Sequence, residues 1–410
     1  MSKTILYYFT ASFPYGLGET WKLNELNVLV NEFDEIHVVP LYHHNNLNNI
    51  KKIPNQIIVH SPLLGETSKH YHLVDILSVL TDKNIFYFLG DFFRKKVFLK
   101  KRLFSRWMLT ALRIIKLNRH PLLNTLKKID DPNTFFYFFW GVGAADVIPF
   151  LNEKRNKKVM VRMHRYDLFE NEVENYIPFR KDLMNFSSSI APSSKAGEIH
   201  LKTLYPKFED KVHVRMLGVK SIGQSTPLYD GVFRIVTVSY MAPVKRLNIL
   251  ANALKGFTES IEWTHLGDGP LRSEIEDIIK TLPNHVKVNL MGMVESTKVQ
   301  EILVNQPFNL FLNISESEGV PFSIMEALAS GIPVMATDVG GTAEIIDDAV
   351  GRLLPKALTP EMLCEELVCF NKLSTTEKEK KANQAYQRYL SHCDAEKLTK
   401  EIANELKKLS

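Results

Sequence analysis

Two carboxylates, Glu318 and Glu326, stand eight residues apart in SESEGVPFSIMEALASG (Ser315–Gly331). Such a pair could share acid/base work. Each could equally accept two hydrogen bonds from a vicinal diol such as a ribose. The preceding run, FNLFLNI (Phe308–Ile314), reads as a strand buried on both faces. Pro321 suits the first turn of a helix, where its missing N–H costs little. Ile324 and Leu328 recur at helical spacing, Gly331 suits the position just past the helix, and Pro333 follows. Glu318 therefore belongs to a strand-to-helix loop and Glu326 to the helix. The amides from Gly319 through Val320 to Phe322 then sit at a helix N-terminus, which attracts anions and hydroxyl-rich ligands. The plainer alternative is a solvated loop acid and a helix-surface charge, and two spaced acids alone do not separate the readings.

The chain around them alternates short apolar runs with helical patterns. TILYYFT, EIHVVPL, TFFYFFW, KVMVRMH, SSSIAPS and KVHVRML are expected strands of a first parallel sheet. Val219–Gly231 is rich in Ser, Gly, Thr and Pro and reads as a linker. A second series follows, with strands at VFRIVTVSY, IEWTHLG, VKVNLMG, FNLFLNIS and IPVMAT and a helix expected at TAEIIDD. The fold class is thus α/β with two Rossmann-like, doubly wound domains. The first is expected over 1–219, with a helical insertion near 73–128, and the second over 232–385. A terminal helix over 386–410 is expected to pack back on the first domain. Ligands of open parallel sheets bind beyond the carboxyl ends of the strands, so residues directly after strands are the candidates. His164 is one, although a lone histidine between Arg162 and Arg165 is more often structural. GDGP (Gly267–Pro270) is a common turn and weak evidence by itself.

With 410 residues, 45% hydrophobic and 24% charged, the chain can bury two sizeable cores. The net charge of +5 is mild, but its distribution is uneven: no acid lies between Asp91 and Asp130, where basic residues alternate with Phe92, Phe93, Phe98, Phe104 and Trp107. Three readings fit this stretch. It is a solvated face over its own core, a surface for anionic headgroups, or, with no recognition module beside it, least plausibly a nucleic-acid site. Three separated cysteines fit a reducing compartment and give no zinc or disulfide framework. The opening MSKTILYYFTASFP is too short for a membrane span and reads as a strand. A cytoplasmic protein, in peripheral contact with the inner membrane face, is the expectation.

The pattern E-G-x-P-x-x-x-x-E (Glu318–Glu326), followed by ALASGIPV and DVGGTAEI, resembles the retaining glycosyltransferases of family 4, group 1, which have the GT-B fold. VSYMAPVKRLNIL, HLGDGPL, VNLMGMV, VRMHRYDLFE and SFPYGLGE fall where that family has its lysine loop, Gly-x-Gly-Pro loop, base-pocket strand, histidine segment and N-terminal glycine loop. The resemblance implies a nucleotide-sugar donor, UDP- or GDP-linked, and a glycan or lipid-linked acceptor in capsule, exopolysaccharide or glycoconjugate synthesis. Glu326 would hold the ribose. Glu318 and the residues Gly319, Val320, Pro321 and Phe322 would hold the sugar. Lys245, with Arg246, would neutralise the leaving diphosphate, and His164 would touch the donor sugar. Met293 and Val294 would line the base pocket, and Gly16 and Gly18 would let the backbone approach the diphosphate or acceptor. No cofactor and no metal are implied, and nucleic acid is not an expected partner. One departure is plain: the family's Gly-Arg before the lysine is Ser239–Tyr240 here, and Arg246 is the expected substitute. Rival readings are an epimerase or hydrolase of the same fold and a non-catalytic nucleotide- or glycan-binding protein.

Overall fold

Each alternating series closes into one six-stranded, wholly parallel sheet in the computed structural model, which describes residues 3–15, 19, 21–43, 51–65, 71–319 and 321–409. Two compact units result. One is Met1–Arg215 with Thr399–Ser410, and the other is Met216–Leu398. The strands of the first are β1 (Ile5–Thr10), β2 (Glu35–Pro40), β3 (Ile57–Val59), β4 (Thr134–Phe138), β5 (Lys158–Met163) and β6 (Ser189–Pro192), in the order β3-β2-β1-β4-β5-β6. The central pair is held face to face by aromatic rings. Phe9 of β1 lies opposite Phe138 of β4, and their rings stack with centroids 4.1 Å apart.

The second unit repeats the plan with β7 (Phe233–Val238), β8 (Ile261–Leu266), β9 (Val286–Leu290), β10 (Leu310–Asn313), β11 (Val334–Thr337) and β12 (Gly351–Leu354), in the order β12-β11-β10-β7-β8-β9. Every residue of β10 and β11 is buried, as helices on both faces require. In each sheet the winding reverses beside the first strand: between β1 and β4, and between β7 and β10. Those reversals are where loops diverge to opposite faces and leave a crevice.

The helical insertion comprises α2 (Leu73–Leu80), α3 (Ile85–Arg94), α4 (Lys101–Arg119) and α5 (Pro121–Lys128), after α1 (Lys22–Leu29). It carries its own core of Val79, Phe88, Val97, Trp107, Met108 and Ala111.

Four local expectations are corrected. KVHVRML forms no strand: it runs beside β6 through His213 N–H to Ile190 O (3.0 Å) and Arg215 N–H to Pro192 O (2.9 Å), with a single bridge at Val212. TAEIIDD is one 3₁₀ turn, Thr342–Glu344. Pro321 is the N-cap, in extended conformation, and the helix begins at Phe322. The Val219–Gly231 stretch has no helix or strand, yet it is pinned within the second unit by Val219 N–H to Cys393 O (2.9 Å) and Ser225 N–H to Ser330 O (2.8 Å).

Candidate active site

The β7–β10 reversal brings two loops into contact. One follows β7 and ends in the 3₁₀ turn Pro243–Lys245; the other follows β10 and leads to the helix Phe322–Ala329. Lys245 Nζ lies 2.5 Å from Glu318 Oε1, with both side chains largely shielded from solvent. Asn313 Nδ2 reaches the same carboxylate oxygen at 3.4 Å. The backbones are joined as well, by Glu316 N–H to Val244 O at 2.8 Å. An ammonium and a carboxylate thus meet at the switch point of the sheet.

Arg246 makes main-chain contacts that the sequence did not announce. It sits in the left-handed region (φ 52°) and turns its guanidinium onto main-chain carbonyls: Nε to Ile314 O and Nη1 to Lys356 O, both 2.7 Å, and Nη2 to Ser315 O at 3.2 Å. Three of its five N–H donors are thereby committed to carbonyls, and they brace the loop. Thr337 Oγ1 adds a fourth tie, to Ser315 O at 2.5 Å. Tyr240, in the place of the family's arginine, is exposed.

Glu326 follows one turn into its helix. The residue is half-buried, yet its carboxyl is desolvated, and burial alone lifts it from 4.5 to about 8. No cation or donor among the described residues offsets that cost. A carboxyl group held without a partner among the described residues is suited to a ligand's hydroxyls. The Gly340–Gly341 turn closes over the Glu318 loop: Gly341 N–H donates to Gly319 O (2.8 Å), and Gly340 (φ 59°) has no room for a Cβ, which would fall on the Glu318 carbonyl. On the other flank, Met241 N–H donates to Asp268 O (2.9 Å), and Gly269 lies too close to the Met241 backbone for any side chain. GDGP is thereby the partner that fixes the lysine loop.

The β1–β4 reversal of the first unit carries a buried polar network. Glu19 accepts from Ser12 N–H (2.9 Å), Phe13 N–H (2.8 Å), Trp140 Nε1–H (2.7 Å) and the Lys22 ammonium. Burial would raise its carboxyl, but Lys22 and these donors overrule it and hold it down to about 2. Lys22, fully buried with its ammonium 3.7 Å from the Phe139 ring centre, is lowered by burial to about 8. His164 directly follows β5, stacked on Phe139 with centroids 4.7 Å apart, and its Nε2 lies 3.1 Å from Phe139 O. Burial, then the charges of Arg162 and Lys22, hold its pKa well below 6.5, so the ring is neutral. A neutral ring bonded at Nε2 to a carbonyl is a donor there. Beside it, a cavity of about 530 Å³ opens over the ends of β1 and β4, walled by Trp140, Tyr42, Tyr176 and, from α4, Arg106 and Arg113.

Comparison with known proteins gives these loops a family. Residues 232–370 match the model described as glycosyl transferases group 1. The second unit carries a group 1 glycosyl transferase domain. The chain is 25% identical over 271 residues to a putative colanic acid biosynthesis glycosyltransferase of Escherichia coli, a match covering 62% of this chain and 64% of that one. It is 29% identical over 187 residues to a putative teichuronic acid biosynthesis glycosyltransferase of Bacillus subtilis, covering 46% and 42%. These matches span less than two thirds of either relative. Among solved structures, Anabaena Alr3699/HepE in complex with UDP superposes with a TM-score of 0.64 at 15% identity, over 99% of this chain and 100% of that one. That likeness is one of fold, the two-domain GT-B fold.

Within the group 1 domain, the switch point unites Lys245, Glu318 and Gly319, and Pro321 and Phe322 open the helix that carries Glu326. Met293 and Val294 follow β9, two strands from β7; Met293 is exposed and Val294 packs on the core. His164 belongs to the other unit. Gly16, Gly18 and Val320 lie outside the described residues. Sequence reasoning missed Glu19, Lys22 and Trp140. The buried Lys22 had one available signal: it falls at position i+3 from Glu19, on a helix facing the sheet.

Proposed function

We propose that this protein is a retaining, metal-independent glycosyltransferase. It transfers a sugar from a UDP- or GDP-linked donor to a glycan or lipid-linked acceptor in polysaccharide or glycoconjugate synthesis. The observation that carries this reading is the Lys245–Glu318 pair at the β7–β10 switch point, in the loop that leads to the helix of Glu326, whose desolvated carboxyl has no partner among the described residues. Glu326 accepts the two ribose hydroxyls. Glu318 orients the donor sugar and holds Lys245, whose ammonium meets the diphosphate. As the glycosyl–phosphate bond breaks, negative charge grows on the diphosphate and oxocarbenium character on the sugar. A fixed ammonium in a water-poor crevice stabilises the first without reorganisation. The acceptor hydroxyl attacks from the face the diphosphate leaves, and a phosphate oxygen takes its proton. The similarity to putative colanic acid and teichuronic acid biosynthesis glycosyltransferases supports a polysaccharide product.

We place the protein in the cytoplasm, peripheral at the inner membrane face; no helix among the described residues is long and apolar enough to cross a membrane. A panel of nucleotide-sugars read by thermal shift tests the donor. The right one should raise Tm, since ligand at about a hundredfold excess over Kd adds roughly 2.7 kcal/mol. Acceptor-dependent nucleotide release then separates transfer from epimerisation, hydrolysis or simple binding. Nucleotide release unchanged by any acceptor would sink the transferase reading.

A further inference from the structure

The helical insertion presents an aromatic ridge to solvent. Phe86 is 84% exposed, and Phe93, Phe98 and Leu99 are each more than half exposed. Phe86 and Phe93 lie seven residues apart on one face of α3, and the Phe93 and Phe98 rings approach to 6.4 Å. The ridge is therefore continuous from α3 into the 3₁₀ turn Val97–Leu99. α2 adds a second outward stripe, Leu73, Leu77 and Leu80, at the i, i+4, i+7 spacing of one helix face. The insertion's own core is already filled by other residues, so these side chains are not its packing. Apolar surface of this kind on a water-facing helix marks an interaction site.

Charge selects the occupant. Lys95, Lys96, Lys100 and Lys101 interleave with the ridge. The nearby acids are taken by arginines: Asp91 and Asp182 by Arg94, and Glu174 by Arg102. Among the described residues no carboxylate pairs with any of the four lysines. A second copy of the chain docking ridge to ridge would set these lysines against their own kind. An anionic bilayer surface neutralises them while the phenyl rings enter the headgroup boundary. Shallow apolar insertion and basic attraction are the two signals that stable peripheral attachment needs.

We infer that the α3–3₁₀ ridge is a membrane-docking surface specific for anionic phospholipid. It deepens the peripheral placement proposed above, and α4, which starts at Lys101 beside the ridge, is the same helix that walls the cavity with Arg106 and Arg113. Docking by this ridge holds that cavity within one helix length of the lipid.

The test is co-sedimentation of the full chain with vesicles of phosphatidylcholine alone or mixed with phosphatidylglycerol. It uses no sugar donor, so its failure and failure of the transferase reading are distinct results. The full chain should pellet with the mixed vesicles only and be released by high salt. The pair Phe93→Ser and Phe98→Ser should lose at least tenfold in partitioning. The pair Lys96→Glu and Lys100→Glu should lose roughly fivefold or more for each lysine. All four residues but Lys96, which holds a left-handed turn, sit in ordinary exposed backbone; circular dichroism checks that each variant is folded. No binding, equal binding to neutral vesicles, or unchanged binding by the lysine pair would overturn the inference. So would a concentration-dependent dimer that the phenylalanine pair abolishes without any change in vesicle binding.

Discussion

Lys245 and Glu326 carry opposite electrostatic burdens, and their substitution should separate two steps. Lys245→Ala removes the cation proposed to meet the leaving diphosphate. Turnover should fall by about 10²–10³-fold, the usual cost of losing one transition-state donor, with a smaller change in donor Kd; single-turnover nucleotide release measures the first and calorimetry the second. In the proposed mechanism Glu326 acts in binding. Its carboxyl, lifted to about 8 by burial, is protonated in the free protein at neutral pH, but a ribose diol is best held by the carboxylate. Donor affinity should therefore climb as pH rises, by up to about tenfold per unit below 8, then level off. The stability sign is the reverse. The folded protein binds that proton more tightly than the unfolded chain, so stability drains as pH rises from 4.5 toward 8. Glu326→Gln should accordingly raise Tm, more at pH 8 than at pH 5, while weakening donor binding at least tenfold. A variant that keeps donor affinity and loses only turnover would refute the ribose role. The placement of both acids was legible in the sequence because it follows from local order: strand, loop, helix. Arg246 was not, because the carbonyls that claim it, at Ile314, Ser315 and Lys356, are 68 to 110 residues away.

The strand-following loops hold one another by main-chain contact, and their precision depends on glycines and carbonyls more than on charged side chains. Gly340→Ala is the sharpest probe. Its Cβ would collide with the Glu318 carbonyl, and φ 59° is strained for alanine besides. The Glu318 loop must then shift, so kcat/KM should drop by more than tenfold while the melting point moves only a few degrees. Arg246→Ala should behave otherwise. It strips the bonds that brace Ile314 and Ser315, at about 1.5–3 kcal/mol for each charged bond lost, and a depressed Tm should accompany the lost activity. If Arg246→Ala melts like the parent and loses only diphosphate affinity, the brace is the wrong role. Element by element, the strongly apolar strands were readable, whereas KVHVRML and TAEIIDD were not. KVHVRML places His213 and Arg215 along the open side of β6, where hydrogen bonds form without a full ladder. TAEIIDD has the helical residues but only room for one turn before β12, a strand of four residues that carries Arg352 at its solvent edge.

Across the whole molecule the same winding is used twice for different chemistry. The β7–β10 reversal offers an ammonium, a carboxylate and an unpaired acid, which suit a charged donor. The β1–β4 reversal spends its charges internally: Glu19 satisfies Lys22, Trp140 and two amides, and His164 is held neutral. Among the described residues no group there is left as a strong base or nucleophile, which bears on the stereochemistry of transfer. A route through a covalent sugar–enzyme link needs a free carboxylate at the anomeric carbon, and Glu318 is already committed to Lys245. Attack on the face the diphosphate leaves needs no such group, because in the proposed mechanism the departing phosphate accepts the acceptor's proton and Lys245 carries the accumulating charge. The first-formed linkage should therefore keep the donor's anomeric configuration, read from the anomeric coupling constant by NMR before any mutarotation. Turnover should also survive exhaustive treatment with a chelator, because the ammonium supplies the charge a divalent ion would otherwise bring. An inverted product would overturn the front-face route. Activity lost to the chelator and restored by magnesium would show that Lys245 is insufficient alone.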